Sequence, residues 1–177
     1  MRRRNLMCQT KQSGVTLVEL LASVAILAIL AAIGAPSYAT FIANSQIRST
    51  TETIRNGLQV ARAEAIKRNA SVTFTLNTSD TSWVVGCAVT TANCPATIQS
   101  KAAKEGGSGT VTVAITGTNP VTFGNLGGAT SYDVTVDNTS ITTAKSKELR
   151  IRIGAGGNIR VCDPNISVTT DTRYCAA

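Results

Sequence analysis

The chain contains no histidine. That absence removes the imidazole base of hydrolytic triads and the commonest nitrogen ligand for zinc. No nucleophile elbow is present, and the acidic residues are scattered, with no carboxylate pair at a spacing useful for acid–base chemistry. A phosphate-cradling loop is missing too. Gly154-Ala155-Gly156-Gly157 lies between strand-like segments, and neither a Lys-Ser/Thr pair nor a helix start follows it. An enzyme, a cofactor and a metal are therefore not expected. Aromatic residues make up 4% of the chain, so a core has to be built mainly from Val, Ile and Leu. Tyr132 and Tyr174 are too few for a base-stacking platform. There are no convincing internal repeats.

What is present is unevenly distributed. The 177 residues are enough for one domain with an appendage. Residues 15–35 form an apolar run long enough to cross a hydrocarbon core of ~30 Å as a helix. Residues 1–14 before it are polar and basic, and their arginines hold the N-terminus in the cytoplasm while the bulk of the chain is sent outward. The formal charge is +7, but Arg2, Arg3, Arg4 and Lys11 supply four of the positive charges. Removing that leader leaves thirteen basic against ten acidic side chains. The basic balance is thus partly a targeting signal and weak evidence for nucleic acid.

With Cys8 in the leader, Cys87, Cys94, Cys162 and Cys175 remain, separated by seven residues in the first pair and thirteen in the second. These spacings include no C-x-x-C knuckle, which argues against zinc. Export implies an oxidising compartment and two disulfides. Four cysteines allow three pairings; the local ones, Cys87–Cys94 and Cys162–Cys175, are favoured by short loop closure in turn-rich segments.

An apolar run after a basic start also describes a conventional signal peptide, for which Ser37-Tyr38-Ala39 offers a small-residue cleavage site. Glu19 separates the readings. A carboxylate inside an apolar helix costs a few kcal/mol in lipid unless it is neutralised or paired. A signal peptide or plain anchor has no use for it, whereas a filament-forming helix can pair it with the α-amine of a neighbouring subunit.

Ser13-Gly14-Val15-Thr16-Leu17-Val18-Glu19-Leu20 resembles the type IV prepilin processing motif. The resemblance implies cleavage between Gly14 and Val15 by a prepilin peptidase, methylation of the new N-terminus, and Glu19 as the inter-subunit acid. Val15 stands where the family usually has Phe. The implied fold is the α+β pilin fold: a long N-terminal helix, transmembrane in its first half, packed on an antiparallel β-sheet head. The implied organisation is a cleaved leader (1–14), the helix (15–69, with 15–35 in membrane or filament core) and a β-rich head (70–177). Implied partners are other pilins, the peptidase, the inner membrane and its assembly platform. The implied location is the inner membrane with a periplasmic head, then the extracellular pilus.

Beyond Pro36, where a kink or local melting is expected, Ile47, Ile54, Leu58, Ala61 and Ala65 mark one face of an amphipathic helix that packs under a sheet. The period then changes to two. Strands are expected at Val72–Leu76, Trp83–Val85, Val111–Ile115, Val134–Val136, Leu149–Ile153 and Asn158–Cys162. Turns are marked by Gly106-Gly107, Gly127-Gly128 and Gly154–Gly157. The passage Ala61–Asn69 followed by Val72-Thr73 resembles minor pilins and pseudopilins related to type II secretion pseudopilin H and to FimT and FimU. The C-terminal Gly-Asn-Ile-Arg-Val-Cys segment and the second cysteine look more like a type IV pilus minor pilin than a type II secretion pseudopilin, which is the alternative.

The last third carries Lys145, Lys147, Arg150, Arg152, Arg160 and Arg173 against Glu148, Asp163 and Asp171. Such a surplus can form a stripe for phosphates. FimT-like pilins bind DNA for natural transformation through Gly-Arg-x-Arg before the last cysteines. Here the residues read Gly157-Asn158-Ile159-Arg160, so only Arg160 matches, and Arg150 and Arg152 are the candidates to compensate. The alternative is solvated edge-strand charge that discourages aggregation.

Overall fold

The computed structural model describes residues 14–103, 105 and 109–175; residues 1–13 of the expected leader, Cys8 among them, and the turn expected at Gly106-Gly107 lie outside the described residues. By its contacts the chain divides into a unit ending at Tyr38 and a unit Ala39–Ala177. Helix α1 spans Leu17–Arg68. Thr16 starts it, its hydroxyl accepting the amide of Glu19 (3.3 Å) as an N-cap does. No melting occurs at Pro36: the helix continues past it. The C-terminus is a Schellman close. Asn69 takes φ 50°, its amide bonds the Ile66 carbonyl (3.2 Å), and the Ala70 amide reaches back to Ala65 (3.1 Å).

In the first unit, every residue from Gly14 to Tyr38 is exposed, and this apolar stretch lies in a helix that is, among the described residues, the one long and apolar enough to cross a membrane. In the second unit, α1 buries Ile47, Ile54, Leu58, Ala61 and Ala65 completely. Gly57 sits on the same stripe because the sheet comes too close for a side chain. A Cβ there would lie 2.7 Å from the Phe74 ring and 3.0 Å from that of Trp83.

Among the described residues eight strands follow: β1 (Val72–Leu76), β2 (Trp83–Cys87), β3 (Gln99–Lys101), β4 (Val111–Gly117), β5 (Val121–Phe123), β6 (Tyr132–Asn138), β7 (Leu149–Ile153) and β8 (Ile159–Cys162). They form two antiparallel sheets rather than one, ordered β3-β2-β1-β5 and β4-β6-β7-β8. The unforeseen strands, β3 and β5, are three residues each. β3 has no apolar alternation, and β5 follows Pro120, so neither carries a sequence signal long enough to read. Inner residues of both sheets share one core with α1, from Phe74 and Phe123 to Val134 and Ile151.

Arg62 ties the sheets together. Its guanidinium donates to the carbonyls of Gly127 (3.2 Å) and Gly156 (3.3 Å), on the loops that follow β5 and β7. Gly157, at φ 71°, lets these loops meet: a Cβ there would stand 1.8 Å from the Gly127 oxygen.

Candidate functional site

Two regions carry the residues singled out from the sequence. At the start of α1, Gly14 and Val15 are exposed and precede the helix. Thr16 and Glu19 have the spacing of a capping box, in which the hydroxyl satisfies an orphan amide of the first turn. The Glu19 side chain is exposed among Leu17, Val18, Leu20 and Leu21, all exposed as well. Its backbone carbonyl accepts the Ser23 hydroxyl at 2.7 Å. A carboxylate near a helix N-terminus also lies at the positive end of the dipole. The arrangement is a surface that water does not suit, with one acid set in it.

The second region is the end of the chain. Cys87 is bonded to Cys94 and Cys162 to Cys175, with Cα separations of 5.6 and 5.1 Å. On β7, Ile151 and Ile153 point into the core, so Arg150 and Arg152 share the opposite face. The register sets Arg152 against Arg160 and Arg150 against Cys162. Each arginine already has an acceptor. Arg152 pairs with Asp133 across β6 (3.2 Å), Arg150 donates to the Thr135 hydroxyl (3.1 Å), and Arg160 donates to the Thr172 carbonyl (2.7 Å).

Lys147 and Arg173 belong elsewhere. They line a groove of about 560 Å³ between α1 and the β8 side of the sheet, together with Arg48, Arg55, Glu52 and Asp163. Asn44 positions this wall, its amide donating to the Lys145 carbonyl (3.1 Å) and its oxygen accepting the Lys147 amide (2.8 Å). The Lys145 side chain is exposed and not part of the groove. Arg173 is paired with Asp171 at 3.0 Å; the Arg173 hydrogen bonds hold that carboxyl below its usual range, and Asp171 in turn raises Arg173. The cations expected as one stripe are thus split between the outer face of the sheet and the groove. Sequence reading missed Arg48 and Arg55. Their seven-residue spacing, two helical turns, was the signal that they share a side of α1.

This combination of a capped apolar helix with an embedded acid and a two-sheet head has known relatives. The family model for type II transport protein GspH matches residues 50–157, and the prokaryotic N-terminal methylation motif matches residues 9–35. The chain belongs to the GspH family.

Similar solved structures include the type IV minor pilin FimU of Pseudomonas aeruginosa (strain PAO1) in two crystal forms. One is 18% identical with a TM-score of 0.56, over 71% of this chain and 97% of FimU. The other is 17% identical with a TM-score of 0.52, over 67% and 97%. The minor pseudopilin EpsH of the Vibrio cholerae type 2 secretion system is 10% identical with a TM-score of 0.54, over 68% of this chain and 99% of EpsH. At these identities the likeness is one of fold. GspH-family proteins are pilin-like structural subunits rather than enzymes, which implies assembly with other pilins and handling by the prepilin peptidase. The methylation motif and the apolar helix fit membrane anchoring of such a subunit.

Proposed function

We propose that this GspH-family chain is a minor subunit of a type IV pilus. Residues 1–14 are the leader, removed between Gly14 and Val15, and Val15–Ala35 then hold the subunit in the inner membrane with residues 70–177 as its periplasmic head. On extraction by the assembly platform, Glu19 pairs with the α-amine of a neighbouring subunit and the head becomes part of an extracellular filament. The observation that supports this most is the exposed Glu19 carboxylate in the first turn of α1, within an apolar stretch exposed from Gly14 to Tyr38 and four residues from the new N-terminus. Lipid alone penalises such an acid, and pairing removes the penalty. Intact mass of the membrane-extracted protein tests the reading: a chain starting at methylated Val15 supports it, and one starting near Thr40 overturns it.

The choice of a pilus over type II secretion rests on the C-terminal loop closed by Cys162–Cys175, a feature resembling minor pilins more than pseudopilins. Deleting the gene discriminates, with lost twitching motility and intact exoprotein export expected. A second reading, DNA contact during uptake, is favoured by Arg150 and Arg160, whose partners Thr135 and Thr172 are neutral, with no carboxylate paired to either arginine among the described residues. Its test is DNA affinity of the head from Ile42 onward across a salt series. Binding should weaken with salt and with Arg160→Ala and Arg150→Ala/Arg152→Ala. Absence of binding at low salt leaves the pilus role alone.

A further inference from the structure

Two four-stranded sheets have four edges, and three of them are blunted. β3 is three residues long and ends in Lys101. β5 is equally short and follows Pro120. β8 carries Arg160 and runs into the disulfide-closed loop, where the Asp163 amide bonds the Arg173 carbonyl (2.8 Å). The β4 edge is different: seven residues, Val111 to Gly117, without a charge or a proline. Proteins normally guard an edge of that length with charge, bulges or a covering segment.

The hydrogen bonds show which backbone groups β4 leaves free. The Thr139 amide donates to the Thr110 carbonyl (2.9 Å), extending the β4–β6 register by one pair. Bonded pairs alternate in an antiparallel ladder, so Thr112, Ala114 and Thr116 exchange bonds with β6. The amides and carbonyls of Val111, Val113 and Ile115 therefore point away from the sheet. Among the described residues, no turn, loop or capping bond reaches them.

The core is also unfinished at this edge. Val111 and Val113 keep 7% and 8% exposure and Ile115 is half-buried, whereas Val134 and Val136 on the next strand are at 0%. On the outer face, Thr112, Ala114 and Thr116 are exposed. Beside them β6 carries Asp133 and Asp137. Arg152 answers Asp133, while among the described residues Asp137 accepts the Ser146 hydroxyl and the Asn138 amide and pairs with no cation.

We propose that the β4 edge accepts an extended strand from another pilin subunit. Backbone bonds at Val111, Val113 and Ile115 give the attachment. The incoming strand places β-branched apolar side chains over the incomplete core, and Ser, Thr or Lys on the outer face towards Asp137. This goes beyond membership of a pilin-like family, which says nothing of which surface meets which neighbour.

A photo-crosslinker at Ala114 in the full-length protein, expressed in cells that assemble the filament, tests the contact. The expected product joins this chain to a different pilin. Two variants separate the edge from the fold. Ile115→Pro removes an outward amide that β6 does not use, and Ile115→Ala shortens the same side chain but keeps that amide. Loss of the bond should lower crosslink yield by about tenfold in the proline variant, with the alanine variant close to wild type and both retaining their disulfides. The proposal is overturned by crosslinks only to a second copy of this chain or to a non-pilin, by no crosslink from a chain correctly processed at Val15, or by equal loss in both variants. Failure of processing at Val15 is a separate result, and it counts against the pilin reading itself.

Discussion

At the scale of single residues, the positions that matter most in the head are those where backbone approaches backbone. Gly157 combines a left-handed φ with a contact that leaves no room for a Cβ. Gly157→Ala is expected to destabilise the head by about 2–3 kcal/mol, from backbone strain plus separation of the loops that Arg62 bridges, read as a fall in thermal midpoint. Glu64 is a milder case. Its hydrogen bond to Arg68 (2.6 Å), helped by Lys67 (3.3 Å), holds its pKa below the ordinary 4.5 against partial burial. A folded-state pKa below the unfolded one means the stabilisation is fully present above the unfolded value and is lost as pH falls through the folded one. The stability gap between wild type and Glu64→Gln, about 0.5 kcal/mol at neutral pH, should therefore close as a melting series is taken below pH ~4.

At the scale of elements, α1 shows how local rules define a helix whose two parts do different work. Thr16 starts it and Asn69 ends it, within two residues of the expected bounds, by capping chemistry that the structure shows. Because Asn69 has positive φ, Asn69→Gly should be neutral or slightly stabilising. Asn69→Val should cost about 1–2 kcal/mol, since a β-branched residue resists that conformation; urea midpoints of the two variants check the contrast. Between these ends, Ile47, Ile54, Leu58, Ala61 and Ala65 lie on the stripe that periodicity picks out. Among the strands, legibility followed length. β1, β6 and β7 alternate over five to seven residues and stand out, while β3 and β5 are too short to show a period.

At the scale of the molecule, the disulfides and the acid in the apolar helix act on different steps. The eight-residue loop closed by Cys87–Cys94 joins the end of β2 to the turn beyond it. Replacing both cysteines by serine should cost about 2–3 kcal/mol, mainly by freeing the unfolded chain, and calorimetry of the head measures it. In the proposed function, assembly depends on Glu19. Glu19→Val removes a charge from the apolar surface, so membrane insertion and cleavage after Gly14 should be kept or improved. Incorporation into filaments should fall sharply, as immunoblots of sheared filaments against membranes would show. A variant incorporated normally would remove the basis for inter-subunit pairing.

The sequence by itself determined the parts governed by neighbours along the chain. These are the apolar span with Glu19 in it, both ends of α1, the buried stripe, the longer strands and the turn-rich spacing that favours local disulfides. Each depends on propensity, periodicity or loop closure within a few residues. Tertiary structure decided the rest: that the strands divide into two sheets, that Arg62 clips their loops together, and that Arg173 and Lys147 face a groove with Arg48 and Arg55 while Arg150, Arg152 and Arg160 lie on the sheet's outer face. The same holds for the bare edge of β4, which looks in sequence like any other alternating strand. Whether a strand is central or terminal depends on which distant segments pair with it, and no local pattern of residues encodes that choice.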